Sequence, residues 1–339
     1  MLYVTTRNNR DTYTVKRVLR ENRGPDGGLY VPFHWTQISS DEIAALLELS
    51  FEQCTAQILN RLLDLKLTGW DVSFYAGRYP VRIKNLGHRM LIAEAWHNPD
   101  WCYRRLERNL IPLLSDTGWK EPSNWVRIAL RMAVFAGLCS ELKRAGYQQN
   151  VDIAMVSGDF TSPISAWYLR SWGFPIGNII CCCNENGNLW DLIANGQMRT
   201  DGISIPTDTP EADVVIPAEL ERLIYACGGM EETSRYLDVC QQGRTYIPCD
   251  ALLEKLRSGI YVSVVGNQRM KETIPRVFAS RKYLLSPYDA LCYCGLSDYR
   301  ARFSEINPAI LFSEKSPVCD EKTVAAALGI QQEAVKNFV

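Results

Sequence analysis

Strand and helix signals alternate along this chain, and the alternation restricts its fold more than any other feature. The clearest stretch has an apolar run at 151–156, a turn at Gly158, a helical pattern at 164–172 and a second apolar run at 178–183. Consecutive parallel strands need a crossover of a dozen or more residues, which a helix supplies. The pattern therefore predicts an α/β protein with a parallel sheet flanked by helices.

The same reading gives further elements along the chain. More strands are predicted at 89–95, 261–265 and 309–312. Helices are predicted at 41–65, 101–114, 123–145, 217–226, 230–241, 249–257, 287–302 and 320–328. With 339 residues, the chain is long enough for two domains that share one extended core.

Composition excludes several classes of protein. The net charge of −1 gives no reason to expect nucleic acid or an anionic membrane as a partner. Residues 1–10 lack the apolar core of a signal peptide, and no apolar run is long enough to span a bilayer, so we expect a cytoplasmic protein. The 12 cysteines include no Cys-x-x-Cys pair and accompany only 3 histidines, which favours buried free thiols over a metal site.

Residues 93–105 read AEAWHNPDWCYRR, and this segment resembles the one in threonine synthases that carries pyridoxal phosphate (PLP). In that family a lysine near the end of the segment holds PLP as a Schiff base. His97, Pro99 and Tyr103 fall on the family's His, Pro and Phe, and Arg104 falls on the lysine. A guanidinium stays protonated at physiological pH and cannot form an imine. We therefore expect no PLP Schiff base and no catalytic residues of that kind; non-covalent PLP binding stays open.

Other segments carry the same resemblance in the family's order. They are 3–7, 25–32, 123–128, 157–162, 173–176, 184–186 and 285–290. The resemblance implies a fold-type-II PLP-enzyme fold, like that of the tryptophan synthase β chain. It further implies an N-terminal threonine-synthase-like domain at 1–85, a remnant of the small PLP subdomain at 86–145 and a large α/β domain at 146–339.

One part of the family pattern is missing. Only 18 residues separate Arg104 from Ser123, whereas a single βαβ unit needs about 30. We therefore expect the small subdomain that grips the substrate to be truncated. Residues 115–118 (SDTG) resemble its substrate loop but fit an interhelix turn better.

The loop at 157–162 corresponds to the family's phosphate-binding loop, in which backbone N–H groups at a helix start face the phosphate. Gly158 and Phe160 are retained, but Thr161 replaces a glycine, and Asp159 and Ser162 replace asparagines. A carboxylate repels a phosphate dianion. We therefore favour a plain βα turn, with Ser162 as the helix cap and Pro163 at the first helical position, over retained PLP binding.

The remaining site candidates have ordinary structural explanations beside functional ones. His97 follows a strand without a visible orienting carboxylate, and Asn124 fits a helix cap. Ser313 or Ser316 is the candidate for the family's hydroxyl at the pyridine nitrogen, and Lys315 is a candidate substitute lysine.

Three functional hypotheses follow. We favour a pseudoenzyme that acts by binding or regulation over an enzyme with altered chemistry and over a true threonine synthase, which makes threonine from O-phosphohomoserine. Arg104 is expected near the mouth of a cleft shared with the Gly158 loop. There it either binds a small anion or phosphorylated metabolite or pairs with Asp159.

Truncation is also expected to expose apolar surface. A homo-oligomer or a protein partner would cover it, with tryptophans of the altered region as anchors. The alternative is that the helices flanking Gly118 fold over this surface. The tryptophans are Trp101, Trp119, Trp125 and Trp167.

Overall fold

The computed structural model describes residues 1–34, 38–76, 81–96, 106–110, 124–303 and 307–339. The strands are β1 (Leu2–Thr5), β2 (Tyr13–Thr14), β3 (Tyr30–Pro32), β4 (Arg82–Gly87), β5 (Met90–Glu94), β6 (Val151–Val156), β7 (Ile176–Cys183), β8 (Met198–Arg199), β9 (Thr245–Tyr246), β10 (Ile260–Val264) and β11 (Ala309–Ser313). The helices are α1 (Val15–Arg20), α2 (Ser40–Leu47), α3 (Phe51–Leu63), α4 (Gly69–Ala76), α5 (106–110), α6 (Trp125–Arg144), α7 (Thr161–Ser171), α8 (Asn188–Asn195), α9 (Leu220–Gln241), α10 (Asp250–Arg257), α11 (Asn267–Arg281), α12 (Pro287–Arg302) and α13 (Glu321–Leu328).

The central sheet of the described chain has the strand order β10-β7-β6-β11-β5-β4. Its β10–β7, β7–β6, β6–β11 and β11–β5 pairs are parallel. The predicted α/β sheet with flanking helices is thus confirmed, with one difference. The edge strand β4 pairs antiparallel with β5, because a two-residue turn at His88 and Arg89 folds the chain back as a hairpin. Both turn residues have positive φ, as such tight hairpins require.

Several predicted helices are confirmed, one needs correction, and α11 was not predicted. The helix predicted at 41–65 is two helices, because Ser50 and Gln53 form a capping box that starts α3 separately. The break predicted between the helices at 217–226 and 230–241 is confirmed, because Gly229 within α9 has a non-helical backbone (φ 75°, ψ −172°). Helix α11 was not predicted; it contains Pro275, which argues against a helix in a sequence reading.

The core lies on both faces of the sheet. Helices α3, α6 and α7 cover one face, and α11, α12 and α13 cover the other. Cys181 and Cys183 point into the first layer and Cys182 into the second, as the alternation of a strand requires. All three thiols are buried, as expected. Helix α6 approaches α3 closely at Gly137, where a Cβ atom would lie 2.6 Å from the Thr55 Oγ1.

The topology brings the candidate loops together. Because β5, β6 and β11 are parallel neighbours, their carboxyl ends meet at one edge of the sheet. The β6–α7 loop and the segment after β11 leave the sheet there, beside the first turns of α6. No helix of the described chain is long and apolar enough to cross a membrane.

Candidate functional site

A cleft of about 420 Å³ lies at this edge, in the position where open α/β sheets usually bind ligands. Its walls come from α5, α6, the β6–α7 loop, the loop around 211–214, α12 and the end of β11. The lining residues are Glu107, Arg127, Arg131, Val156, Ser157, Gly158, Asp159, Ser162, Glu211, Val214, Tyr288, Phe312, Glu314 and Lys315.

The β6–α7 loop takes its shape from Phe160. This residue has a left-handed backbone (φ 74°), its side chain is fully buried, and its N–H donates to the Ser157 carbonyl at 2.8 Å. Helix α7 then begins at Thr161. The predicted start, with Ser162 as cap and Pro163 at the first helical position, is therefore wrong: the loop turns two residues earlier because Phe160 is anchored in the core.

Asp159 supplies the anion at the start of α7. Its Oδ1 accepts from the Thr161 N–H at 2.9 Å, and its Oδ2 lies 3.9 Å from the Arg127 Nη1. A phosphate bound at this helix start would need the same kind of backbone donor. The Asp159 carboxylate already occupies one such donor, the Thr161 N–H. Arg104, the partner suggested for Asp159 from the sequence, lies outside the described residues, and that pairing stays a prediction.

A buried charge network forms the back of the cleft. The Arg131 side chain is 5% exposed, and its Nη1 donates to Glu314 Oε1 at 2.6 Å and to the Ser162 hydroxyl. The Ser162 hydroxyl in turn donates to Glu314 at 2.8 Å. Glu107, on α5, lies 3.4 Å from the Arg131 Nη2 and is also buried. One arginine thus joins α6 to α5, to α7 and to the segment after β11.

Lys315, the candidate substitute lysine, does line the cleft. Its Nζ lies 2.6 Å from Glu211 Oε1 and 4.6 Å from the centre of the Tyr288 ring. Burial alone would lower the pKa of Lys315, but the hydrogen bond to Glu211 and the nearby acidic groups outweigh it and raise the pKa. Imine formation needs the opposite shift.

Ser313 is buried beside the cleft, not on its wall. Its hydroxyl accepts from the Trp96 Nε1 at 2.7 Å and donates to the Asp289 carboxylate. Burial raises the pKa of Asp289 to about 6, although its bonds to Ser313 and Ser286 oppose this. Because the Ser313 hydroxyl already accepts one hydrogen bond and donates another, it has little capacity left to bind a ligand.

The other sequence candidates divide into two groups. Asn124 caps α6 by accepting from the Val126 N–H at 2.8 Å, and it donates to the Asn22 Oδ1 at 2.7 Å, which agrees with the structural interpretation. Thr161 is buried. His97, Arg104 and residues 115–118 lie outside the described residues, and so do Trp101 and Trp119. Trp125 is fully buried and Trp167 is half-buried.

Sequence reasoning missed most of the charged residues that line the cleft. Arg127 and Arg131 lie four residues apart on α6 and so share one helix face, which was a usable signal. Their acidic partners are distant in sequence: Glu314 lies 183 positions from Arg131. Glu107 and Glu211 carry no local motif.

Comparison with known proteins agrees with this architecture. A family model described as "Threonine synthase N terminus" matches residues 2–71. The chain is 21% identical over 187 residues to the threonine synthase of Saccharomyces cerevisiae, covering 51% of this chain and 36% of that protein. It is 25% identical over 176 residues to "Threonine synthase-like 1" of Homo sapiens, covering 50% of this chain and 23% of that protein.

Solved structures show the same fold. The PLP-bound threonine synthase from Brucella melitensis superposes with a TM-score of 0.84 at 17% identity, over 97% of this chain and 92% of that one. The yeast threonine synthase gives a TM-score of 0.83 at 15% identity, over 99% of this chain and 93% of that one. The chain is thus similar to threonine synthases, by the family model over residues 2–71 and by its fold over nearly its whole length. The aligned regions span less than half the length of the curated relatives. The predicted domain boundaries and the truncation of the small subdomain stay predictions.

The described cleft of this threonine-synthase-like chain does not fit PLP. Three cations face four carboxylates there, and each of those cations lies within 4 Å of a carboxylate. At the loop that would receive a phosphate, the Asp159 carboxylate already holds the Thr161 N–H. A dianion entering beside these carboxylates meets repulsion that the paired cations only partly offset.

Proposed function

We propose that this threonine-synthase-like protein is a pseudoenzyme: it keeps the family fold, forms no Schiff base with PLP, and acts by binding or regulation. The observation that carries the proposal is the bond from the Thr161 N–H to the Asp159 carboxylate, at 2.9 Å. The Asp159 carboxylate is therefore the protein's own anion at the helix start where the family resemblance puts the cofactor phosphate. Arg104 at the lysine position supports the same conclusion from chemistry.

The charge network supports a cleft that serves binding without imine chemistry. Arg131 is buried between Glu107 and Glu314, so it is already neutralised by its own chain. Lys315 is held as an ammonium ion by Glu211. Among the described residues of the cleft, this leaves no neutral amine to attack a carbonyl.

A second candidate function rests on one observation, the location of Lys315. It lines the same cleft as Gly158 and Asp159. An enzyme with altered chemistry would use Lys315 in place of the missing lysine, after losing the contact with Glu211. A covalent adduct on Lys315 distinguishes this alternative from the pseudoenzyme.

The test is to incubate the purified protein with PLP, reduce it with borohydride, and map pyridoxyl adducts by peptide mass spectrometry. We expect no stoichiometric adduct on any lysine, and the same result for Lys315→Met. A stoichiometric adduct on Lys315 that disappears in Lys315→Met would establish the alternative and overturn the pseudoenzyme.

A second test restores the expected lysine. Arg104→Lys alone should not produce threonine from O-phosphohomoserine, because the segment between 104 and 123 is too short for the substrate-gripping subdomain. Threonine formation by Arg104→Lys, measured against the unaltered chain as control, would show that this segment is dispensable and that only the lysine was missing.

A further inference from the structure

A groove lies between α8 and the outer strand β10, past the carboxyl end of β7. Its volume is about 520 Å³, which is within the usual range of small-molecule sites. Its walls include the aromatic side chains Trp190 and Tyr261 and the acidic side chains Glu185, Asp191 and Asp298. None of its described lining residues also lines the cleft, so what binds in the groove does not depend on the pseudoenzyme proposal.

Two aromatic rings form the apolar part of the groove. Trp190, on α8, is 38% exposed. Tyr261, on β10, is half-buried, and Tyr299 and Phe303 hold its ring in edge contacts with centroid distances of 5.3 and 5.9 Å. The Tyr261 hydroxyl already accepts a hydrogen bond from Arg302, so the ring offers a ligand its face more than its hydroxyl. The face of an aromatic ring carries negative charge density and attracts a cation.

The charged side chains that line the groove are negative. Among the residues that the structure describes, no lysine or arginine lines it. Asp298 is neutralised by Arg269 at 2.6 Å. Glu185 and Asp191 each accept a hydrogen bond from an uncharged N–H group at 2.9 Å, but neither lies within 4 Å of a described cation. Two carboxylates of the groove therefore keep their negative charge.

This combination of rings and carboxylates distinguishes between kinds of ligand. An anion would be repelled by Glu185 and Asp191. A metal ion needs several ligands that converge on one point, and the described part of the chain contains no group of three side chains suited to hold one. A neutral apolar ligand would use the rings but would desolvate the carboxylates without compensation. A cation with apolar substituents uses both features.

We propose that this groove binds a small organic cation whose charge is carried by an alkylated ammonium group. Its alkyl groups pack against Trp190 and Tyr261, and its positive charge is attracted by the two rings and by Glu185 and Asp191. A quaternary ammonium has no N–H to donate, so it needs no further hydrogen-bond acceptor. This suits carboxylates that already hold N–H groups of the protein.

The first test measures charge recognition by calorimetry on the unaltered chain. The probes are choline and the neutral alcohol in which a carbon atom replaces the nitrogen of choline. We expect choline to bind, and the neutral alcohol of the same shape to bind about tenfold more weakly or worse. Choline binding should also weaken as salt is raised. Absence of choline binding up to about 10 mM overturns the proposal, and so does equal affinity for the two probes.

The second test locates the site with substitutions in the groove. Trp190→Leu should raise the dissociation constant of choline about tenfold, whereas Trp190→Phe, which keeps an aromatic ring, should retain most of the affinity. Asp191→Asn should weaken the binding of choline and leave that of the neutral alcohol unchanged. The matched control is Trp70→Leu, which removes a 71% exposed tryptophan of α4 outside the groove.

Melting temperatures of the variants show whether each is folded. If Trp190→Leu fails to fold, Trp190→Phe and Asp191→Asn still test the site, because both are conservative. Choline affinity that is unchanged in Trp190→Leu or in Asp191→Asn overturns the assignment to this groove. A loss of affinity in Trp70→Leu as large as that in Trp190→Leu overturns it as well, because choline would then be binding to exposed tryptophans in general.

Discussion

The cleft and the β10 edge both carry charged side chains, but they arrange them differently. In the cleft, each described cation lies within 4 Å of a carboxylate of the same chain. Beside β10, Arg269 pairs with Asp298 at 2.6 Å through side chains that are 45% and 30% exposed, whereas the Arg131 and Glu107 side chains are 5% and 2% exposed. Solvent screens an exposed pair, while a buried charge that loses its partner is costly to the fold. The difference therefore assigns an internal, structural role to the cleft network.

The strongest test of this internal role is Arg131→Leu. The substitution removes the cation that Glu107 and Glu314 share, and Glu107 is buried. We expect the free energy of unfolding to fall by about 3–5 kcal/mol, measured by denaturant titration. The matched control is Arg127→Leu, whose 3.9 Å pair with Asp159 is looser and whose loss should cost less. Equal losses of unfolding free energy for the two variants would show that the buried Arg131 network stabilises the fold no more than the Arg127–Asp159 pair does.

The second prediction concerns Asp289, whose pKa of about 6 exceeds its ordinary value of 3.8. Since the folded protein holds this proton more tightly than the unfolded chain, stability should rise as pH falls from 7 through 6 and level off near pH 4. The full contribution is about 3 kcal/mol for a shift of about two pKa units. Asp289→Asn removes the titrating group.

The measurement is the difference in unfolding free energy between the unaltered chain and Asp289→Asn from pH 7 to pH 4. Taking the difference cancels most other titrating groups, although Glu94 acts on Asp289 directly. A difference that stays constant across this range would mean that the carboxyl group titrates normally.

The third prediction concerns the negative charge of Asp159 in the β6–α7 loop. Asp159→Asn keeps an oxygen acceptor for the Thr161 N–H but removes the negative charge. Inorganic phosphate should then bind the cleft about tenfold more tightly than it binds the unaltered chain, as measured by calorimetry. Asp201→Asn, at an exposed aspartate outside the cleft, is the control. Unchanged phosphate affinity in Asp159→Asn would show that Asp159 is not what excludes anions.

The smallest loss of stability is expected for Lys315→Met. Its partner Glu211 has a side chain that is 51% exposed, so solvent screens the pair. The loss of stability should be below about 1 kcal/mol in thermal or chemical unfolding. A loss as large as that of Arg131→Leu would mean that Lys315 also belongs to the internal framework.

The sequence predicted the parts of this molecule that local patterns determine. The apolar runs of β6, β7 and β11 and the glycine turn at Gly158 were sufficient to predict the sheet and the loop that reaches the cleft. It could not predict how that loop turns, because the left-handed Phe160 depends on burial of its ring in the core. Nor could it predict the Arg131 network, whose partners come together only through the fold.

The buried ring of Phe160 has a consequence for the protein without any ligand. Because the core holds the turn, the loop keeps its shape whether or not the cleft is filled. Enzymes whose loops are ordered by a cofactor gain thermal stability when it binds, by mass action. This chain should instead melt at the same temperature with and without added PLP. A protein with this fold and such a self-supported loop stays folded without a cofactor, so its sequence can be selected for something other than catalysis.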